Sequence, residues 1–139
     1  MEARLKWMDG LQFVGEAPSG HAVLLDGGKE GGGADSAVHP MEMLLLALGG
    51  CTAMDVISIL KKKKQAVTGF EVRLRGERAP DHPKRFTRIE LEFVVRGHDI
   101  DEAAVARAIS LSYEKYCSVR ATLQGNPVIE TRHRIEPAP

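Results

Sequence analysis

The feature that most constrains this chain is a long apolar stretch, residues 39–60, which reads HPMEMLLLALGGCTAMDVISIL. Pro40 is favoured in the first turn of a helix, and Glu42 places a negative charge where the helix dipole stabilises it. The stretch therefore predicts a helix from about Pro40 to about Gln65. Because nearly every face of this helix is apolar, solvent should touch little of it. A subunit of 139 residues has few means of covering it, so we expect a second copy of the chain to help.

Alternating apolar and polar residues predict strands on both sides of this helix. Asp9-Gly10 lies between two alternating segments and is a strong hairpin signal. A glycine-rich loop, Gly27–Gly33, precedes the helix, and Asp101 is a predicted cap for a second helix. The predicted strands are residues 3–8, 11–16, 21–26, 67–79, 84–97 and 126–136, and the later helices are residues 102–117 and a short piece ending at Leu123.

Because the strands are grouped and do not alternate singly with helices, this order predicts an α+β fold with a largely antiparallel sheet. Charged residues alternate with apolar ones in the two long strands, which predicts one solvated face; they are Arg73, Arg75, Glu90 and Glu92. The length predicts a single domain, residues 1–139.

Composition excludes some classes of partner. The 19 basic and 19 acidic residues balance to a net charge of 0, so we expect no nucleic-acid partner. The N-terminus has no apolar segment typical of a signal peptide. The longest uncharged apolar run, Met43–Met54, is shorter than the roughly 20 residues that a membrane helix needs. We therefore predict a cytoplasmic protein with no membrane partner, in which any disulfide is transient.

The roles of the two cysteines, Cys51 and Cys117, are left open by the residues alone. A cysteine on an apolar helix is either a small buried hydrophobe or a nucleophile. Gly49 and Gly50, just before Cys51, each cost a helix roughly 1 kcal/mol relative to alanine, so they predict close approach of another backbone. With no CxxC or HxxxH spacing, we predict no metal site and no cofactor.

Cys117 follows one predicted helix and begins another. Free N–H groups at a helix N-terminus stabilise a thiolate, and Arg120 would add to this if its side chain folded back. The alternative is a half-buried structural cysteine at a helix junction.

Two carboxylates on the long helix bear on Cys51. Glu42 precedes it by nine positions, so on a straight helix the two side chains point to opposite sides, roughly 13 Å apart along the axis. Glu42 therefore serves the helix dipole or a thiol of another element or chain. Asp55 lies one turn after Cys51, and its charge disfavours a reactive thiolate unless Asp55 turns to another partner.

The stretch HPMEMLLLALGGCTAMDVISIL, together with the second cysteine in YCSV, resembles the OsmC/Ohr family (osmotically inducible protein C and organic hydroperoxide resistance proteins). The matching pattern is a proline, an acidic residue two positions on, an apolar run, small residues and a cysteine. The order of strands and helices is also similar over nearly the whole chain. The sequence YCSV, with no proline after the cysteine, is more similar to the OsmC-like branch.

This resemblance implies an intertwined homodimer and a thiol-dependent peroxidase active in oxidative stress defence. Cys51 matches the peroxidatic cysteine and Cys117 the resolving one, which implies a sulfenic acid, then a disulfide, then reduction by an external dithiol. The residue matching Glu42 acts across the subunit interface. The arginine that holds the thiolate in hydroperoxide-reducing members has no match, since no arginine lies between Arg4 and Arg73, and Lys29 is the candidate in its place.

The predicted substrate is a hydroperoxide, organic rather than hydrogen peroxide, because apolar residues of the long helix would line the pocket. These are Leu44, Leu48 and Met54. One alternative is a non-catalytic dimer that binds a small ligand or senses redox state, which the missing arginine favours. A further alternative is a structural dimer with two inert thiols.

Overall fold

The computed structural model describes residues 1–125 and 127–139, and its elements follow the predicted α+β order. The strands are β1 Arg4–Asp9, β2 Gln12–Glu16, β3 Ala22–Leu25, β4 Ala66–Arg78, β5 Phe86–His98 and β6 Val128–Pro137. The helices are α1 Pro40–Lys62, α2 Glu102–Leu111 and α3 Ser118–Thr122, with a 3₁₀ turn at Lys29–Gly31 and a π-helical turn at Ser112–Tyr116. Asn126, the first residue of the last predicted strand, lies outside the described residues.

The chain divides into two compact units, Met1–Leu46 and Ala47–Pro139. The first contains an antiparallel sheet in the order β1-β2-β3. Its hairpin turns where predicted, since Asp9 pairs with Gln12 and Gly10 takes a φ of 51° that favours glycine. The prediction of a single domain over residues 1–139 stays a prediction.

Asp26 organises the glycine-rich loop of the first unit. Its carboxylate, which is only 2% exposed, accepts hydrogen bonds from the backbone N–H groups of Gly27, Ala34 and Ser36 and from the Ser36 hydroxyl. These bonds, led by that from the Ser36 hydroxyl, lower the pKa of Asp26. The loop expected to lack regular structure is therefore tied to one carboxylate, and it includes a 3₁₀ turn at Lys29–Gly31.

The second unit contains a mixed sheet in the order β4-β5-β6. Strands β4 and β5 are antiparallel, as alternation predicted, but β6 pairs with β5 in parallel. A parallel pair needs a long crossover, and here α2, the π-helical turn and α3 supply it. Among the residues that the structure describes, three of the four strand pairings are thus antiparallel, in two sheets instead of one.

One face of the mixed sheet forms the core and the other is charged. On β5, the alternate residues Ile89, Leu91, Phe93 and Val95 are at most 1% exposed. On the opposite face Arg73 pairs with Glu71 at 2.8 Å and with Glu92 at 3.7 Å. The predicted solvated face is therefore confirmed, and the core is made by this sheet with buried residues of α1 and α2, such as Leu48, Val56, Leu60, Val105 and Ala108.

The apolar helix α1 is only partly covered in the single chain, as expected of a subunit with few means of covering it. Leu46 and Met54 are 59% and 72% exposed in the single chain. The helix has 23 residues and is long and apolar enough to cross a membrane by length and composition alone, so the expectation based on the shorter run Met43–Met54 was wrong on that point. A core helix of a soluble protein can have the same length and composition.

Candidate active site

The second unit brings the two cysteines together with Asp55. The two Sγ atoms and a carboxylate oxygen of Asp55 all lie within 4.8 Å of one another. Cys117 is 3% exposed, while Cys51 and Asp55 are half-buried, and both cysteines are free thiols. The predicted proximity of Cys51 and Cys117 is therefore confirmed.

Two local features of the backbone build this cluster. Cys51 and Asp55 are four residues apart on α1, so one face of the helix carries both. Cys117 follows the π-helical turn, and its N–H donates to the carbonyl of Ser112 at 2.9 Å. Such turns are common at functional sites because the extra residue re-aims the side chains after it. The sequence predicted an unbroken α-helix up to Cys117, which was wrong from Ser112 onward.

Ser112 fixes the Asp55 carboxylate. Its hydroxyl, on a residue only 1% exposed, donates to Asp55 Oδ2 at 2.9 Å. Asp55 thus turns to another partner, Ser112. This was the condition under which its charge would not disfavour a reactive thiolate at Cys51. Sequence reasoning missed Ser112, since nothing in the order of residues shows that the turn before Cys117 faces α1.

The thiol of Cys117 is held in its neutral form. Burial raises its pKa to about 11, and the adjacent Cys51 and Asp55 also raise it. One contact opposes this, because the backbone N–H of Arg120 donates to Cys117 Sγ at 3.3 Å. The Arg120 guanidinium lies 3.9 Å from the centre of the Tyr113 ring. The helix N-terminus expected to stabilise the thiolate is present, but burial outweighs it.

A cleft lies on the side of the cluster that Asp55 occupies. It has a volume of about 240 Å³ and is lined by Asp55, Ser58, Ile59, Lys62, Leu111 and Tyr116. The apolar side chains of Ile59 and Leu111 lie there beside one cation, Lys62, and one carboxylate, Asp55. Of the three cluster residues, Asp55 is the one that lines this cleft.

Two predicted site residues, Glu42 and Lys29, lie in the first unit. Glu42 Oε2 accepts a hydrogen bond from the His39 backbone N–H at 2.9 Å, which is one half of a capping box. This contact holds the Glu42 carboxylate at the N-terminus of α1, which agrees with the interpretation that it serves the helix dipole. Lys29 is exposed in the 3₁₀ turn. A role for either residue at a thiol stays a prediction.

The apolar residues expected to line a pocket differ in how deeply they are buried. Leu48 is fully buried in the core of the second unit, Leu44 is half-buried and Met54 is mostly exposed. Close packing at Gly49 is confirmed in part: a Cβ built there would lie 2.5 Å from Leu74 Cδ1, a side chain and not another backbone. A Cβ at Gly50 meets nothing within 4 Å.

Comparison with known proteins agrees with the family resemblance seen in the helix that carries Cys51. The family model for OsmC-like proteins matches residues 32–132, which include both cysteines and Asp55. The chain belongs to the OsmC family. Protein YhfA of Escherichia coli K12 is 52% identical over 124 residues, covering 89% of this chain and 90% of YhfA.

Solved structures of other proteins share the fold. A hypothetical protein from Aquifex aeolicus VF5 superposes with a TM-score of 0.86 at 30% identity, over 99% of this chain and 97% of that one. An organic hydroperoxide resistance protein from Legionella pneumophila superposes with a TM-score of 0.68 at 14% identity, over 95% and 94% of the two chains. At that identity, the second likeness shows the fold alone.

Proposed function

We propose that this OsmC family protein is a thiol-dependent peroxidase that reduces organic hydroperoxides in oxidative stress defence. The observation that carries the proposal is the approach of the Cys51 and Cys117 Sγ atoms to within 4.8 Å, both as free thiols. To form a disulfide of about 2.05 Å, the two sulfurs must close by up to about 2.8 Å, so the proposal includes a local rearrangement around them. Two solved proteins with this fold are named organic hydroperoxide resistance proteins, and these names support the choice of substrate class.

The reaction has three balanced steps. The Cys51 thiolate attacks one peroxide oxygen, the O–O bond breaks, and the alkoxide leaves and takes up a proton as an alcohol, so that Cys51 becomes a sulfenic acid. The Cys117 sulfur then attacks the Cys51 sulfur, which forms the disulfide and releases water. An external dithiol reduces this disulfide, is itself oxidised to a disulfide, and restores both thiols.

The environments of the two thiols support this division of roles. Cys117 is nearly inaccessible and its raised pKa keeps it protonated near neutral pH, so it is poorly suited to the first attack. Cys51 is half-buried and therefore more accessible to a peroxide. Asp55 is placed to accept the proton that Cys117 loses during the second step, because its carboxylate lies within 4.8 Å of both sulfurs.

The full site in this proposal is formed by a homodimer in the cytoplasm. The exposed apolar side chains of α1, Leu46 and Met54, support burial against a second copy. Glu42 is proposed to orient or protonate groups at the partner's Cys51, and Lys29 to stabilise the thiolate. A pocket that includes Leu44, Leu48 and Met54 favours organic over inorganic peroxide.

A second candidate function is a non-catalytic dimer that binds a small ligand or senses redox state. A carboxylate, Asp55, stands beside the two thiols, and the sequence has no arginine from residue 5 to residue 72 to stabilise a thiolate. This arrangement slows attack on a peroxide, which suits a sensor or a binding protein better than an enzyme. Rapid turnover of peroxide in the presence of a dithiol reductant would indicate the peroxidase. Its absence would indicate the binding or sensing protein.

Anaerobic titration of the reduced protein with cumene hydroperoxide tests the proposal, with thiols counted and peroxide measured. We expect two thiols lost per peroxide, one intramolecular disulfide by peptide mapping, and slower loss with hydrogen peroxide. Cys51→Ser should consume no peroxide, while Cys117→Ser should stop at a sulfenic acid that dimedone traps. Unchanged thiols after prolonged exposure to excess peroxide would refute the peroxidase and leave the second candidate.

A further inference from the structure

We propose that the reduced cysteine pair, with Asp55, is also a binding site for a thiophilic divalent cation, Zn²⁺ in the first instance. The ligands are the Sγ atoms of Cys51 and Cys117 and one carboxylate oxygen of Asp55, which all lie within 4.8 Å of one another. The sequence predicted no metal site because it offered no spaced histidines. The tertiary structure supplies a carboxylate as the third ligand instead.

The spacing of these donors suits a tetrahedral ion. With Zn–S bonds of about 2.3 Å, two sulfurs on one tetrahedral Zn²⁺ lie about 3.8 Å apart. The two sulfurs therefore need to close by about 1 Å at most, a movement within the reach of side-chain torsions. Three protein ligands leave the fourth position to a water molecule, which is the open arrangement of reactive zinc sites.

Two of the ligands are already held by second partners. Ser112 donates to Asp55 Oδ2 at 2.9 Å, and the Arg120 backbone N–H donates to Cys117 Sγ at 3.3 Å. Partners of this kind orient metal ligands, and their loss commonly costs 10- to 100-fold in affinity. Because Ser112 is only 1% exposed, water does not easily take its place.

The site has an entrance and is not sealed. Cys51 and Asp55 are half-buried, and Asp55 forms part of the wall of the 240 Å³ cleft. A hydrated cation can approach along this cleft and exchange its water for the three ligands. The cleft carries one carboxylate, Asp55, and one cation, Lys62, so its net charge neither attracts nor repels a cation strongly.

Binding and oxidation use the same atoms and exclude each other. Zn²⁺ binding releases one proton from each thiol that coordinates as a thiolate, and no electrons are transferred. A Cys51–Cys117 disulfide removes both sulfur ligands. The bound ion should therefore protect the thiols from oxidation, and reduction of the disulfide should restore binding. This inference requires reduced thiols but not peroxide turnover, so it can fail or hold independently of the proposed function.

The test is titration of the reduced protein with Zn²⁺ under anaerobic conditions, in competition with a chromophoric chelator. We expect one ion per chain, and Co²⁺ in its place should give the intense visible absorption of a tetrahedral site with sulfur ligands. Cys51→Ser and Cys117→Ser should each remove this absorption. Asp55→Asn should weaken binding at least tenfold, whereas Asp81→Asn, at an exposed turn, should leave it unchanged.

Circular dichroism of each variant separates loss of a ligand from loss of the fold. Three results would overturn the inference: binding no tighter than in the variant lacking both thiols, wild-type affinity in a folded Asp55→Asn, or one ion shared by two chains. Equal binding by the oxidised and reduced proteins would also contradict it, because the disulfide has no thiolates to offer.

Discussion

The hydroxyl of Ser112 donates a hydrogen bond to the carboxylate of Asp55, 57 residues earlier in the chain, over a distance of 2.9 Å. This bond joins the π-helical turn to α1 at the point where Cys51 and Cys117 meet. It holds a negative charge within 4.8 Å of two thiols and gives that charge a neutral partner. We therefore expect the properties of the site to depend on a serine that is neither a proposed nucleophile nor a proposed ligand.

Ser112→Ala should lower the free energy of unfolding of the reduced protein by about 1–2 kcal/mol, because it leaves Asp55 without a buried donor. Urea denaturation followed by circular dichroism measures this. The matched control is Ser58→Ala, at an exposed position on α1, which should change stability by less than about 0.5 kcal/mol. Equal losses in the two variants would contradict a special role for Ser112.

Gly49→Ala and Gly50→Ala should have opposite effects although the residues are adjacent in α1. Both gain helix propensity of up to about 1 kcal/mol. Only Gly49 is packed against Leu74, where the added Cβ must displace a side chain at 2.5 Å. We expect the Gly49 variant to be less stable than the Gly50 variant by about 1–3 kcal/mol in urea denaturation. A loss at Gly50 would contradict this and indicate another surface against that turn.

The stability of the reduced protein should fall as pH rises from about 9 to about 11. The pKa of Cys117 is 9.0 ordinarily and about 11 in the fold. Over this range the thiol ionises in the unfolded chain before it does so in the folded one, so ionisation favours unfolding. Urea denaturation across this range should show a steeper decline for wild type than for Cys117→Ser. Parallel curves for the two proteins would contradict a buried, neutral thiol.

Asp26→Asn should loosen the glycine-rich loop, because an amide cannot accept all four of the hydrogen bonds that the carboxylate accepts. Limited proteolysis should cut residues 27–34 faster in this variant than in Asp81→Asn, an exposed control. The lowered pKa of Asp26 also means that its contribution is present above about pH 3.8 and is lost as pH falls through its folded pKa. An acid unfolding curve of the same shape in Asp26→Asn would count against this.

Met54→Lys should weaken the proposed homodimer, because it places a charge on an apolar face of α1 that the single chain leaves 72% exposed. Sedimentation velocity should show a shift from dimer to monomer at equal concentration. Val128→Lys changes another exposed apolar residue, 61% exposed on β6, and serves as the control. A dimer retained in Met54→Lys, or a monomeric wild type, would exclude burial of this face of α1 in a dimer.

Much of the local structure followed from the residues. Asp9-Gly10 predicted the first turn, and Asp101 caps α2 through the Ala103 N–H as expected. The alternation in β4 and β5 predicted both strands to within about two residues, since a period of 2 with one buried face determines strand and register together. The parallel partnership of β6 was not predicted, because alternation does not indicate which neighbour a strand pairs with.

The candidate site, too, was predicted in part from the sequence and in part appeared only in the tertiary structure. The sequence by itself determined that Cys51 and Asp55 share one face of a helix, because the period of the α-helix sets that relation regardless of the rest of the chain. Only the tertiary structure decided that Cys117 and Ser112 reach this face. That placement depends on the extra residue of the π-helical turn and on the packing of α2 against strand β6 of the sheet. Contacts between residues far apart in sequence leave no periodic signal, so a thiol's burial, its pKa and its partners emerge only when the chain has folded.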